Sequence, residues 1–404
     1  MPTPEPFAVT RTDPAYVVVE IFAGDNNLAN FVTRDLQETL QGLGDDGAML
    51  ALVDHASRPT EILEISGSHA RQLLLPGEIN TGDAATLTDF LARALVTYPA
   101  SIPLAIGFWD HGSGVVDEQD PDEAIVTLGI GTEPRPPKDR RLRPSGRLFG
   151  PAIEADIGAE AMLHDDTDLG VLTTREAGSV VTTALRRAAR GPVAAIFSDT
   201  CLNGMVEVLH ELAPAADCII GSEALEPGDG WDYTRFLRLL RAPYDAAAWG
   251  KAAVDAYGEC YRTRTDDHPC TMGAFRSTNA MVPAFKALVA AASAAGKPAF
   301  DILNQARSAT TAFDRRDVYD LIEFAGHVRA AATGPLADAA QQLESAATAA
   351  RIGNVAMGPT VTRAQGLSFW FPRSTSSFQA DRTTYARLAF DRDTGWTQLL
   401  DQHL

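Results

Sequence analysis

The chain has 404 residues, 45% of them hydrophobic, enough for one large domain or two ordinary ones around a buried core. Its 53 acids against 34 bases give a formal charge of −19, which argues against binding nucleic acid or an anionic membrane through the general surface field and favours cationic partners. The four cysteines, Cys201, Cys218, Cys260 and Cys270, form no CxxC pair, so a disulfide framework and a structural zinc site are both disfavoured and a reducing compartment suits the composition.

The opening "MPTPEPFAVTRTDPAY" lacks the basic start and continuous apolar stretch of a secretory signal, and no later run is long enough to span a bilayer. A soluble, cytoplasmic protein is the expectation. The first element is "YVVVEIF" (16 to 22), a β-branched strand that ends at Gly24 and the turn-forming "DNN". Leu28, Phe31, Val32, Leu36, Leu40 and Leu43 then recur at helical spacing, and Gly42 and Gly44 mark the end of that helix. "AMLALVDH" and "TEILEIS" read as strands, "AATLTDFLARALVTY" as an amphipathic helix stopped by Pro99, and "PLAIGFWDHG" as a further strand. Such alternation predicts an α/β fold with a mostly parallel sheet flanked by helices, which binds ligands at the carboxyl ends of its strands.

Between about 115 and 168 the pattern breaks into a segment rich in Pro, Gly and charge, which reads as an excursion from the sheet. Its middle holds Arg135, Lys138, Arg140, Arg141, Arg143 and Arg147, a dense basic run in an acidic chain. Alternation resumes with "LTTREAGSVVTTALRRAA", where Thr173 or Thr174 followed by Glu176 marks a helix start, then "VAAIFSDTC" (strand), "NGMVEVLHEL" (helix) and "DCIIGSE" (strand). After about 235 the chain turns mainly helical and alanine-rich, interrupted by the strand candidates "TMGAF" and "GLSFWFP". This divides the chain into 1–235, an α/β domain that includes the excursion, and 236–404, a mainly helical region packed on it.

His111 and Cys201 each stand at the carboxyl end of a predicted strand. Side by side they would form a nucleophile and base, since the thiolate is the attacking species and an imidazole lowers its pKa or takes its proton. The start of the following helix would favour the anion. Gly112 lets the backbone approach a substrate carbonyl, so its N–H and that of Cys201 could hold an oxyanion. Taken singly, a cysteine after a strand also reads as a small buried hydrophobe, and a lone histidine as structural. His55 ends a strand too and is the rival base; the other histidines lie in loops, helices or the tail, and Cys218, Cys260 and Cys270 read as structural.

With these residues in place, the chain resembles the clostripain family of cysteine peptidases, in the caspase-like clan with gingipain, legumain and separase. The resemblance rests on "VVEIFAGDNNLANFVTRDLQE", "FWDHGSG", "SDTCLNGMVEVLHEL", "GSEALEPGDGWDY", "VYDLIEFA", "GLSFWFP" and "YARLAFDRDTGW", in that order. It implies a caspase-like sheet, Cys201 as nucleophile, His111 as its partner and the Gly112 backbone as oxyanion donor. It further implies cleavage after Arg or Lys, read by Asp199, two before the cysteine, and by Asp229 of "PGDGW". A carboxylate in a partly desolvated pocket pairs strongly with guanidinium or ammonium; the plainer roles are a loop-fixing acid for Asp199 and a turn residue for Asp229. The partners implied are a basic peptide or protein substrate and an activating protease, with no nucleic acid and no membrane.

Members of the family it resembles are cut between the histidine and cysteine blocks, so the resemblance implies a zymogen processed by itself or another protease within 135–147. Lys138, Arg140, Arg141 and Arg147 are the candidate positions; Pro144 makes Arg143 a poor one. The plain alternative is a solvated basic loop. No cofactor is required for the chemistry and no metal ligands are assigned. Calcium (Ca2+) is a family association, and "DDTD" (165 to 168) supplies oxygens without an EF-hand loop. Two other functions fit the sequence less well: an inactive module that binds basic peptides, and a cysteine amidohydrolase for small substrates.

Overall fold

The computed structural model describes residues 4–67, 69–115, 161–262, 269–278, 280–313 and 317–404. Strands β1 (Tyr16–Gly24), β2 (Gly47–His55), β3 (Thr60–Ser66), β4 (His69–Gly77), β5 (Leu104–Trp109), β8 (Ala195–Asp199), β9 (Cys218–Gly221), β10 (Cys270–Arg276) and β12 (Arg351–Met357) form one sheet in the order β12-β10-β9-β8-β5-β1-β2-β3-β4. Its five central strands, β2, β1, β5, β8 and β9, pair in parallel, and the flanking strands on both sides run antiparallel. A hairpin, β6 (Ala161–Asp165) with β7 (Gly170–Thr173), and a small pair, β11 (Val318–Asp320) with β13 (Ser368–Trp370), lie outside it.

Every residue of β1 and β2 is buried, because both faces of the central sheet are covered. Along β1 the side chains alternate between two cores: Val17, Val19 and Ile21 pack on one face, and Tyr16, Val18 and Phe22 on the other. The first core also takes residues of α2 (Ala84–Thr97), α3 (Thr174–Arg187) and the helices after residue 280; the second takes residues of α1 (Ala29–Gly42), α5 (Tyr233–Leu239) and α6 (Ala246–Tyr261). The expected α/β architecture with a parallel centre holds. "TMGAF" becomes β10 and, with β12, extends the large sheet past residue 235, whereas "GLSFWFP" contributes β13 to the small pair.

The expected helix start at 173–176 is a full capping box: the Thr173 hydroxyl accepts from the Glu176 amide and the Glu176 carboxylate accepts from the Thr173 amide. Residues 161–168, expected to belong to the excursion, instead form β6 and the turn of the hairpin. Lys138, Arg140, Arg141 and Arg147 lie outside the described residues. Among the described residues, no helix is long and apolar enough to cross a membrane.

Candidate active site

Parallel pairing brings four strand ends to one edge. β1 pairs β2 with Gly24 opposite His55, and β5 pairs β8 with Trp109 opposite Asp199, so the segments 25–27, 110–112 and 200–201 leave the sheet side by side. Gly112 abuts the cysteine loop: a methyl added to it would fall 2.3 Å from the Cys201 carbonyl oxygen and 2.9 Å from both Asn203 Nδ2 and Thr200 Cβ. Only a glycine lets the histidine and cysteine segments approach this closely.

The histidine is fixed from both sides. Nε2 of His111 lies 2.6 Å from Asn27 Oδ1, a residue just past β1. With that oxygen as acceptor, Nε2 carries the proton and Nδ1 keeps its lone pair. The buried Asp110 clamps the backbone around it, its carboxylate accepting from the His111 amide (2.5 Å), from Asn26 Nδ2 (2.7 Å) and from the His164 amide. The His164 ring stands 6.2 Å from that of His111, edge to face.

Cys201 Sγ accepts from the Glu226 backbone N–H at 3.2 Å, and a donor aimed at sulfur favours the thiolate. This differs from the expected helix start, since α4 begins only at Val206 and spans Val206–Leu212. Between them the chain turns sharply, with Leu202 at φ 62°, a left-handed conformation that costs a residue with a β-carbon about 1–2 kcal/mol. Backbone bonds hold the loop in that shape: Leu202 N to Ala224 O (3.2 Å), Gly204 N to Ser222 O (2.7 Å) and Ser368 N to Gly204 O (2.8 Å). Cys201 and His111 are both fully buried.

Asp199 is also fully buried, and its Oδ2 accepts from the Tyr233 hydroxyl at 3.1 Å. That hydroxyl lies 2.5 Å from Glu20 Oε1 on β1, and burial beside Asp199 and Glu20 pushes its pKa well up. Asp229 is partly exposed, its side chain 32% accessible, and its Oδ1 accepts from Arg34 Nη1 at 2.7 Å. Tyr261 reaches the same loop, its hydroxyl donating to Gly230 O at 2.5 Å.

His55, the rival base, faces Glu61 Oε2 at 3.3 Å, and burial followed by the Arg58 charge lowers its pKa. All four cysteines are free thiols. Cys218 is buried in β9 and burial drives its thiol pKa far up, the mark of an inert core residue. Asn27, Glu226, Arg34 and His164 escaped sequence reasoning, because their contacts cross 25 to 195 positions of chain and leave no local pattern.

Carboxylate oxygens of Asp25, Asp54, Glu78 and Asp165 lie within 4.8 Å of one another. Burial, then the neighbouring carboxylates, raises Asp54 to about 7, and Asp165 and Glu78 also titrate above their ordinary values. Four hard oxygen donors crowded this way suit a Ca2+ ion. Of these, only Asp165 belongs to the "DDTD" stretch; Asp25 follows directly on β1, Asp54 lies in β2 and Glu78 follows directly on β4.

The clostripain family model matches residues 21–132 and 152–403. The chain belongs to the clostripain family. It is therefore a cysteine peptidase, a hydrolase of peptide bonds. Among solved structures, an inactive zymogen C11 protease from Parabacteroides distasonis aligns with TM-score 0.66 and 16% identity, over 96% of this chain and 99% of that one. A secreted C11 cysteine protease from Bacteroides thetaiotaomicron in complex with an irreversible peptide inhibitor aligns with TM-score 0.65 and 17% identity, over 95% and 99%. At these identities the two share the fold of this clostripain-family chain. No curated protein matches it.

Proposed function

We propose that this peptidase cleaves after Arg or Lys through a Cys201–His111 dyad and is made as a zymogen processed within 135–147. The observation that carries the dyad is the pairing of β5 with β8, which seats Gly112 against the Cys201 carbonyl and so brings the two segments together. Asn27 Oδ1 accepts a hydrogen bond from His111 Nε2–H, so Nδ1 is the nitrogen able to accept the thiol proton. The thiolate attacks the scissile carbonyl and the tetrahedral oxyanion is held by backbone N–H groups of Gly112 and Cys201. Collapse expels the amine, which takes the proton back from His111, and water attacks the resulting thioester with His111 again as base.

Asp199 and Asp229 supply the negative charge that a guanidinium or ammonium side chain requires. The zymogen reading is supported by burial: with Cys201, His111 and Asp199 all without accessible surface, a substrate reaches them only after the structure opens. For the calcium associated with the family, Asp25, Asp54, Glu78 and Asp165 are the residues that would hold it. Bound there, it would neutralise their charge and steady the strand ends, and no step of cleavage runs through it.

The test is turnover of paired fluorogenic peptides ending in Arg, Lys or Asp, before and after limited proteolysis of the 135–147 stretch, with Cys201→Ala as control. Arg or Lys turnover that vanishes in Cys201→Ala is expected; none in either state would refute the reading. Intact mass decides self-processing, which is excluded if wild type and Cys201→Ala both remain uncut.

A further inference from the structure

We propose that Arg34 is an internal occupant of the subsite for the substrate's basic side chain, and that an incoming Arg or Lys must displace it from Asp229. This rests on the reading of Asp229 as a specificity acid. Arg34 lies on α1 and crosses 195 positions of chain to donate Nη1 to Asp229 Oδ1 at 2.7 Å and Nη2 to the Asp229 carbonyl. Its guanidinium thus makes with Asp229 the contact that the pocket is expected to make with a substrate arginine.

Two features distinguish an occupant from a rivet. First, Arg34 has a place to go: its Nε stands 3.3 Å from Asp35 Oδ1 and 3.5 Å from Glu38 Oε1 on its own helix, so releasing Asp229 leaves its charge compensated. Its side chain is 37% accessible, so the movement disturbs no packed core. Second, the Asp229 loop is held without it. Glu38 Oε2 accepts from the Tyr233 amide at 3.1 Å, Thr234 Oγ1 donates to Glu38 O at 2.9 Å, Tyr261 donates to Gly230 O at 2.5 Å, and Gly230 N to Pro227 O at 2.8 Å. Removing the Arg34 cation should therefore take away the competing guanidinium at Asp229 and leave the loop in place.

The experiment compares wild type, Arg34→Gln and Arg34→Lys, each with and without Asp229→Asn. It reads KM and kcat on Arg- and Lys-ending peptides, and, separately from turnover, agmatine binding to the full chain carrying Cys201→Ala by calorimetry. Arg34→Gln should lower KM and the agmatine Kd by about three- to tenfold, the scale of a partly exposed charge-assisted pair, and Arg34→Lys by a smaller factor. In the Asp229→Asn background neither substitution should change either value. An unchanged or raised KM in an active Arg34→Gln enzyme, or the same gain without Asp229, would overturn the role of Arg34. If Arg34→Gln does not fold, Arg34→Lys carries the test, and an unchanged KM there overturns it. A wild type that cleaves neither Arg nor Lys peptides refutes instead the specificity reading on which the proposal stands.

Discussion

Glu207 offers the sharpest physical test of how the cysteine loop is braced. It stands in the first turn of α4, fully buried, with Oε1 accepting from the Trp370 amide at 2.9 Å and from the Tyr385 hydroxyl at 2.8 Å. Oε2 is buried with no hydrogen-bond partner, so protonation there breaks no existing bond and removes a buried charge. Burial pushes the carboxyl from its ordinary 4.5 up to about 7, against the downward pull of the two donors. In the unfolded chain the group ionises near the ordinary value, so between the two values the native state holds a proton that the unfolded state has lost. Stability is then fully present below about pH 4.5, falls as pH rises towards 7, and stays low above it, by roughly 3 kcal/mol in all. Glu207→Gln keeps the shape and the accepting oxygen but cannot ionise. Urea unfolding of both proteins in a Cys201→Ala background, from pH 4.5 to 8.5, should give similar stabilities at the acid end. At the alkaline end the Gln variant should lead by roughly 3 kcal/mol, a melting difference of roughly 4 °C for a chain of this size. Parallel curves across the whole range would show that Glu207 is charged in the native protein and would sink the argument.

Further outcomes follow from the site. Gly112→Ala places a methyl 2.3 Å from the Cys201 carbonyl oxygen, so the two segments must separate; a loss of at least about 2 kcal/mol in stability and more than tenfold in kcat/KM is expected, and near-wild-type turnover would contradict the packing. Asn27→Ala removes the acceptor for His111 Nε2 and should cut kcat/KM by about tenfold, whereas Asn27→Asp retains an acceptor and most of the activity; equal losses would deny Asn27 an orienting role. Millimolar Ca2+ should raise the melting temperature of the wild type and leave that of Asp54→Asn unchanged, with an equal rise in both counting against the carboxylate cluster. Thr173→Ala breaks the capping box and should cost about 1 kcal/mol, measured by denaturant titration, without altering kcat.

The parallel centre of the sheet was legible because burial on both faces demands continuous apolar runs, as in "YVVVEIF" and "AMLALVDH". The edges were not. β4, "HARQLLLPG", lies mostly exposed, and its three leucines form a short run with no apolar/polar alternation, ended by a proline, so no strand pattern betrays it. β12 is half-buried throughout and follows directly on an alanine-rich helix, where no alternation marks the change. At the site, strand ends announced His111 and Cys201, since a doubly wound sheet presents its chemistry there. The residues that tune them come from elsewhere in the chain. The Glu226 amide reaches the sulfur from the turn after β9 and Asn27 reaches the imidazole from the turn after β1, and a backbone donor leaves no side-chain signature at all.

This division bears on how such an enzyme would be switched. The histidine and cysteine segments are already in contact, the Sγ already has a backbone donor, and Nε2 of His111 is already held. Cys201 nonetheless has no accessible surface, and Asp229 is paired with Arg34. On the proposed Cys201–His111 dyad, what separates this arrangement from turnover is access and not assembly. If only the open form binds substrate, apparent affinity falls in proportion to its population, so a form open about 1% of the time binds roughly a hundredfold more weakly. Under the zymogen reading, a cut in the basic stretch acts by raising that population and leaves the intrinsic chemistry alone. Alkylation of Cys201 by iodoacetamide would then speed up on processing by the same factor as kcat/KM at limiting substrate. A rise in turnover without a matching rise in alkylation would mean that cleavage builds part of the site, contrary to the contacts already made across β5 and β8.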